Sequence, residues 1–110
     1  MQTGSITIQL VDGDYETIKC VWNSQPSPTG EILLKKYNTY DKVFTLLANG
    51  NLVELGDDLS TSLFYYRDHG YDIDETKAIG SDKLEDVLIS DFNYIWKNDQ
   101  WLIQSDEYSN

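Results

Sequence analysis

Three places in the chain carry side chains that could do chemistry. His69 is the only histidine and follows Asp68 in the run Tyr66-Arg67-Asp68-His69-Gly70, so the pair could serve as a general base with an orienting carboxylate. No partner at catalytic spacing accompanies it, and a turn histidine in a solvated acidic loop is the expected role. Cys20, the one cysteine, would act as a nucleophile only if a cation lowered its pKa. Lys19 falls on the opposite face of the strand, which leaves Cys20 as a buried core thiol. Asp72-Ile73-Asp74-Glu75 opens like a calcium loop, but no ligand-spaced Asp or Asn follows, no Gly holds the sixth position, and Lys83 stands where the twelfth-position Glu belongs. Asp12-Gly13-Asp14 and Asp57-Asp58 read as turn and cap residues. The chain is therefore expected to be no enzyme, with no catalytic residue, metal site or cofactor.

Charge is the stronger signal. Residues 1–53 carry five acids and four bases, whereas residues 54–110 carry fourteen acids and four bases, so nearly all of the net charge of −11 lies in the second half. A field of that sign repels nucleic acid and anionic membrane and attracts basic protein surfaces. Direct nucleic-acid binding needs a basic stripe, and Lys35-Lys36 is the only basic pair. Carboxylates on a folded surface can instead occupy a cleft built for phosphates. The candidates are Glu54, Asp57, Asp58, Asp68, Asp72, Asp74, Glu75, Asp82, Glu85, Asp86 and Asp91. Solubility alone would also produce such a surface without any partner. Tyr15, Tyr37, Tyr40, Tyr71 and Tyr108 flank turns or helix ends, where tyrosine favours interfaces, while Trp22, Trp96 and Trp101 alternate with strand residues and read as packing.

The elements that would position these residues follow from periodicity. Ile6, Ile8 and Leu10 alternate with polar residues, as do Ile18, Cys20 and Trp22, and Asp12-Gly13-Asp14 lies between, giving a hairpin over 5–22. Two prolines make 23–30 a rigid exposed loop. Ile32, Leu33, Leu34 and Tyr37 predict a short helix; Thr39 caps a second, with Asp41 in its first turn and Asn49-Gly50 as its stop. Leu63-Phe64-Tyr65-Tyr66 is apolar on both faces, as in a central strand, with 77–79 pairing beside it. An acidic loop then spans 68–75. Ser81 caps a third helix bearing Leu84, Val87 and Leu88, and residues 94–96 and 101–103 form a last hairpin around Asn98-Asp99. These elements make one α+β domain over 1–110, a small, mainly antiparallel sheet packed with two or three short helices, with a frayed tail from Ser105 to Asn110. The 40% hydrophobic content, with three Trp, eight Tyr and three Phe, suffices for one modest core. A single cysteine fits a reducing cytosol, the N-terminal residues lack the pattern of a signal peptide, and no run is apolar enough to cross a bilayer.

Across roughly 4–103, Cys20, Trp22, Pro26, Gly30, Leu33-Leu34, Tyr37, Lys42-Val43, Asn51-Leu52, the run Phe64-Tyr65-Tyr66-Arg67-Asp68-His69-Gly70, Lys97 and Trp101 form a recognisable order. It resembles a family of small uncharacterised bacteriophage and prophage proteins with a Cys-His-Trp-Asp-Gly-Tyr-Pro type segment and a Phe-Tyr-x-Arg-Asp-x-Gly motif. The first segment is altered here to Cys20-Val21-Trp22-Asn23-Ser24-Gln25-Pro26, so its imidazole and carboxylate are missing. The resemblance implies a phage origin and the cytoplasm of an infected bacterium, with no established activity. By analogy with small phage proteins that disable host machines, the leading expectation is an inhibitor of anti-CRISPR or anti-restriction type. It would dock on a host protein with a basic nucleic-acid-binding surface through Asp68, Asp72, Asp74, Glu75, Asp82, Glu85 and Asp86, with Tyr71, Tyr65 or Tyr66 as anchors, and without contact to nucleic acid or membrane. The alternative is a protein-binding or homo-oligomerising module whose acidity only confers solubility.

Overall fold

Polar and apolar residues alternate through the first 22 positions, and the computed structural model, which describes residues 3–105, turns that alternation into two strands. β1 (Gly4–Gln9) and β2 (Tyr15–Trp22) pair antiparallel with Ile6 opposite Ile18 and Gly4 opposite Cys20. Ile6, Ile8, Ile18 and Cys20 thereby share one buried face. The connection is closed by Asp12, whose carboxylate accepts from the Asp14 amide at 3.0 Å, and by Gly13 at φ +94°.

That face is covered by two helices. α1 (Glu31–Lys36) is followed by α2 (Tyr40–Ala48), where Thr39 Oγ1 accepts from the Lys42 amide at 3.3 Å. Val43, Leu46 and Leu47 recur on the inner side of α2 and pack with Leu33, Tyr37, Phe64, Phe92, Tyr94 and Trp96 in the main core. Each large side chain fully withdrawn from water there contributes about 1.5–3 kcal/mol. Gly50, at φ +81°, ends α2.

The chain continues through β3 (Leu52–Glu54), β4 (Leu63–Phe64), α3 (Tyr65–His69), α4 (Ile73–Thr76), β5 (Ile79–Ser81), a 3₁₀ turn (Leu84–Val87), β6 (Phe92–Lys97) and β7 (Gln100–Ser105). The sheet runs β4-β3-β2-β1-β6-β7, with β1–β6 and β2–β3 parallel and the other pairs antiparallel. β5 pairs with Tyr15–Thr17, on the flank of β2 that carries β3 further along. The fold is thus α+β, with a mixed sheet of seven strands and four short α-helices among the described residues. The opposite sheet face holds a polar seam, with Ser5 Oγ donating to Asn93 Oδ1 at 2.6 Å and Thr7 Oγ1 to Thr17 Oγ1 at 2.8 Å. Beside it lies a smaller cluster in which Tyr15, Val87 and Ile95 pack with Leu84 and Leu88.

Several expectations are corrected. Residues 63–66 are no central strand: β4 has two residues, lies at the sheet's margin, and leaves Leu63 exposed, while Tyr65 and Tyr66 open α3. An apolar run four residues long has no periodicity to separate strand from helix. The strand near 77–79 is shifted to Ile79–Ser81 and joins β2, not β4. Residues 26–30 form a wide helical turn, which Pro26 tolerates because its missing amide would have no partner in the first turn; Thr29 within it and Ser24 just before it are buried. Ser81 caps no third helix: it ends β5, and the residues after Lys83 make a single 3₁₀ turn, Leu84–Val87, with no side-chain cap. Tyr15 and Tyr37 belong to the core, and Trp22 is 53% exposed. Tyr108, and the expected fraying beyond Ser105, lie outside the described residues.

Candidate functional site

The run from Phe64 to Gly70 shows how the sequence assembles this region. Phe64 is buried, and the Arg67 guanidinium lies 4.8 Å from its ring centroid. Arg67 donates Nη1 to the Leu59 carbonyl at 2.7 Å, Nη2 to the Ser62 carbonyl at 2.6 Å, and Nε to both oxygens of Asp68 at 3.1 Å. Asp68 Oδ2 also accepts from the Phe64 amide at 2.8 Å, satisfying a donor at the start of α3. The Arg67 hydrogen bonds, together with that amide, hold the Asp68 carboxyl below its ordinary value of 3.8. Gly70, at φ +74°, then stops the helix. The motif is a clamp between loop 55–62 and α3.

Asp68 accepts from Arg67 and the Phe64 amide rather than from the imidazole, and exposed His69 meets the Tyr65 ring at 6.2 Å between centroids. No base with an orienting carboxylate is assembled there. Cys20 is fully buried, its thiol donating to the Trp22 carbonyl at 3.6 Å, and burial pushes its pKa up to about 12, where no nucleophilic thiolate forms at neutral pH. Among the described residues no group of three His, Cys, Asp or Glu side chains could hold a metal ion.

The expected docking residues occupy two exposed segments joined by β5. In the first, Asp72 caps α4 by accepting from the Asp74 amide at 2.9 Å, Asp74 and Glu75 face solvent, and the buried end of α4 is fixed where the Asn51 amide donates to the Thr76 carbonyl at 2.7 Å. Tyr65 and Tyr71 meet edge to face, 5.1 Å between centroids, and line a groove with Lys19, Val21, Asn51 and Glu75. In the second, Ser81 Oγ accepts from the Lys83 amide at 3.1 Å and donates to Asp86 at 2.7 Å, while Asp82 and Glu85 are exposed. Seven acids and two lysines, Lys77 and Lys83, fall between 68 and 86, and the one ion pair there other than Arg67–Asp68 is a loose, exposed Lys77–Asp74 contact of 3.9 Å.

The remaining carboxylates lie elsewhere. Glu54 accepts from the Asn23 side chain, Asp57 and Asp58 share a cleft with Lys36 and Lys42, and Asp91 accepts from the Thr3 amide at 2.9 Å. Asp58 also accepts from Ser60 and Thr61, which lowers its pKa and makes it a loop-forming residue. The eleven candidates therefore do not make one face. Asp68, though exposed, is committed to the clamp.

One surface escaped the sequence reading. A cleft of about 320 Å³ opens between the 26–30 turn, α1 and β7, lined by Pro26, Gly30, Leu34, Tyr94, Trp101 and Ile103. Trp101 and Ile103, two residues apart on one face of β7, were the available signal; exposed Leu34 comes from α1. Comparison with family models, with curated proteins and with solved structures finds no match to this chain.

Proposed function

We propose that this protein is a non-enzymatic inhibitor of phage type that docks its acidic flank on the basic nucleic-acid channel of a bacterial defence complex, of CRISPR or restriction kind. The observation that supports this reading most is the concentration of exposed carboxylates on α4 and the 3₁₀ turn, two segments adjoining β5 on one side of the sheet. Asp74, Glu75, Asp82 and Glu85 would pair with Lys and Arg, and the Tyr65–Tyr71 groove would take an aliphatic or guanidinium portion of such a side chain. The carboxylates would compete with phosphates for the same cations, with association fast and salt-sensitive.

The test is plaque formation by a targeted phage on bacteria carrying one defined CRISPR or restriction system, with and without the protein. Protection of the phage by the wild type, lost when Asp72, Asp74, Asp82 and Asp86 become Asn and Glu75 and Glu85 become Gln, supports the reading. Were the acidity only a solubiliser for a protein-binding module, neutralising these six residues would leave every partner in place.

A further inference from the structure

β7 is the last strand in the sheet, and among the described residues it pairs with β6 alone. The two-residue turn at Asn98-Asp99, both at positive φ, makes Lys97 and Gln100 the hydrogen-bonded pair that closes the hairpin. The backbone N–H and C=O groups of Trp101 and Ile103 consequently point away from β6, at an open edge. Soluble proteins usually guard such an edge with charge, proline or brevity. β4 at the other end is short, with two residues; β7 runs for six, and Gln100–Gln104 carries neither charge nor proline. Leu102 and Ile103 are each 43% exposed, Leu34 beside them is 63% exposed, and the apolar cleft opens along the same strand.

Charge selects the occupant. Residues 92–105 contain one base, Lys97, and one acid, Asp99, so this edge is neutral in a molecule of net charge −11. Of the acidic segments, α4 adjoins Asn51 at the start of β3, and the 3₁₀ turn packs through Val87 with Tyr15 and Ile95 on the sheet face opposite the cleft. A basic partner would be drawn to that other side. We infer that β7 is the contact for a second copy of this chain, pairing antiparallel with its own symmetry mate about Ile103 and extending the sheet across a two-fold axis. Outward-pointing Ile103 faces Ile103 of the mate, Trp101 faces Ser105, and the Ile103 side chains, on the α1 side of the sheet, cover the mouths of the two clefts. Such an isologous contact closes on itself and ends growth at the dimer, and it leaves the sheet face that carries the 3₁₀ turn uncovered.

Sedimentation equilibrium over a range of protein concentrations tests this directly. The wild type should pass from the 12.7 kDa monomer to a species of twice that mass. Added salt should tighten the dimer by screening repulsion between two anions, opposite to its effect on docking to a basic partner. Ile103→Lys, which sets like charges against each other on the axis, should weaken the dimer by about tenfold or more. Ile103→Pro, which removes an outward N–H and no bond to β6, should do the same, with far-UV circular dichroism reporting retained fold. The sixfold carboxylate variant should dimerise at least as well as the wild type, which separates this inference from the proposed inhibition. A wild type that stays monomeric throughout, or folded Ile103 variants that associate unchanged, would overturn it.

Discussion

Arg67 carries more of the local structure than any other charged side chain. Its guanidinium ties the Leu59 and Ser62 carbonyls to Asp68 and lies over Phe64, so Arg67→Ala removes that donor from two backbone acceptors and leaves Asp68 with the Phe64 amide. A loss of about 1–3 kcal/mol in urea unfolding is expected. Asp68 has its carboxyl pKa depressed in the folded state, so its contribution is present above the unfolded value and fades as pH falls through the lower folded one. Acid titration of the wild type should therefore show stability falling below about pH 4, and Asp68→Asn should flatten that part of the curve. Cys20, fully buried with its thiol pKa raised, should react with a thiol reagent only at the rate of unfolding, whereas denatured protein reacts at once. In the sequence Asp68 and His69 stand side by side as a base with an orienting carboxylate and no partner at catalytic spacing. Nothing local reveals that Asp68 is occupied from the other side, by an amide four residues back.

At the level of elements, strands with strict alternation and helices with end signals were legible. The hairpin over 5–22, the one expected over 94–103, whose strands run a little longer, Thr39 as a cap and Gly50 as a stop each rest on a local rule that the tertiary structure leaves alone. Residues 63–66 and 77–79 differ from expectation because their identity depends on contacts outside each segment. Two residues of β4 pair with β3, and β5 finds β2 some sixty positions earlier. No local pattern encodes such pairings. Gly50 shows how tightly those distant contacts are set: a Cβ there would lie 2.6 Å from the Thr76 carbonyl oxygen, on top of a positive φ. Gly50→Ala should accordingly destabilise the fold by about 1–3 kcal/mol in thermal or urea unfolding, while Ala at Gly13, equally positive in φ but with open space around it, should cost less.

For the whole molecule, charge asymmetry along the sequence becomes asymmetry across the sheet, but only in part. The acids of residues 72–86 gather beside β5, whereas Glu54, Asp58 and Asp91 are drawn into hydrogen bonds, those of Glu54 and Asp91 to distant parts of the chain, that a count of carboxylates cannot reveal. The opposite margin, β7, is neutral and apolar, so the two margins are suited to different partners. The central claim, that the carboxylates beside β5 displace nucleic acid from a basic channel, is tested most directly by competition. Duplex DNA bound to a purified defence complex, the one whose action the protein blocks in cells, is titrated with wild type and with the sixfold Asp→Asn, Glu→Gln variant at low and high salt. Displacement by the wild type that weakens steeply with salt, and is lost in the variant, is the result the account predicts. Equal displacement by both proteins, or binding of the wild type that leaves the DNA in place, would contradict it.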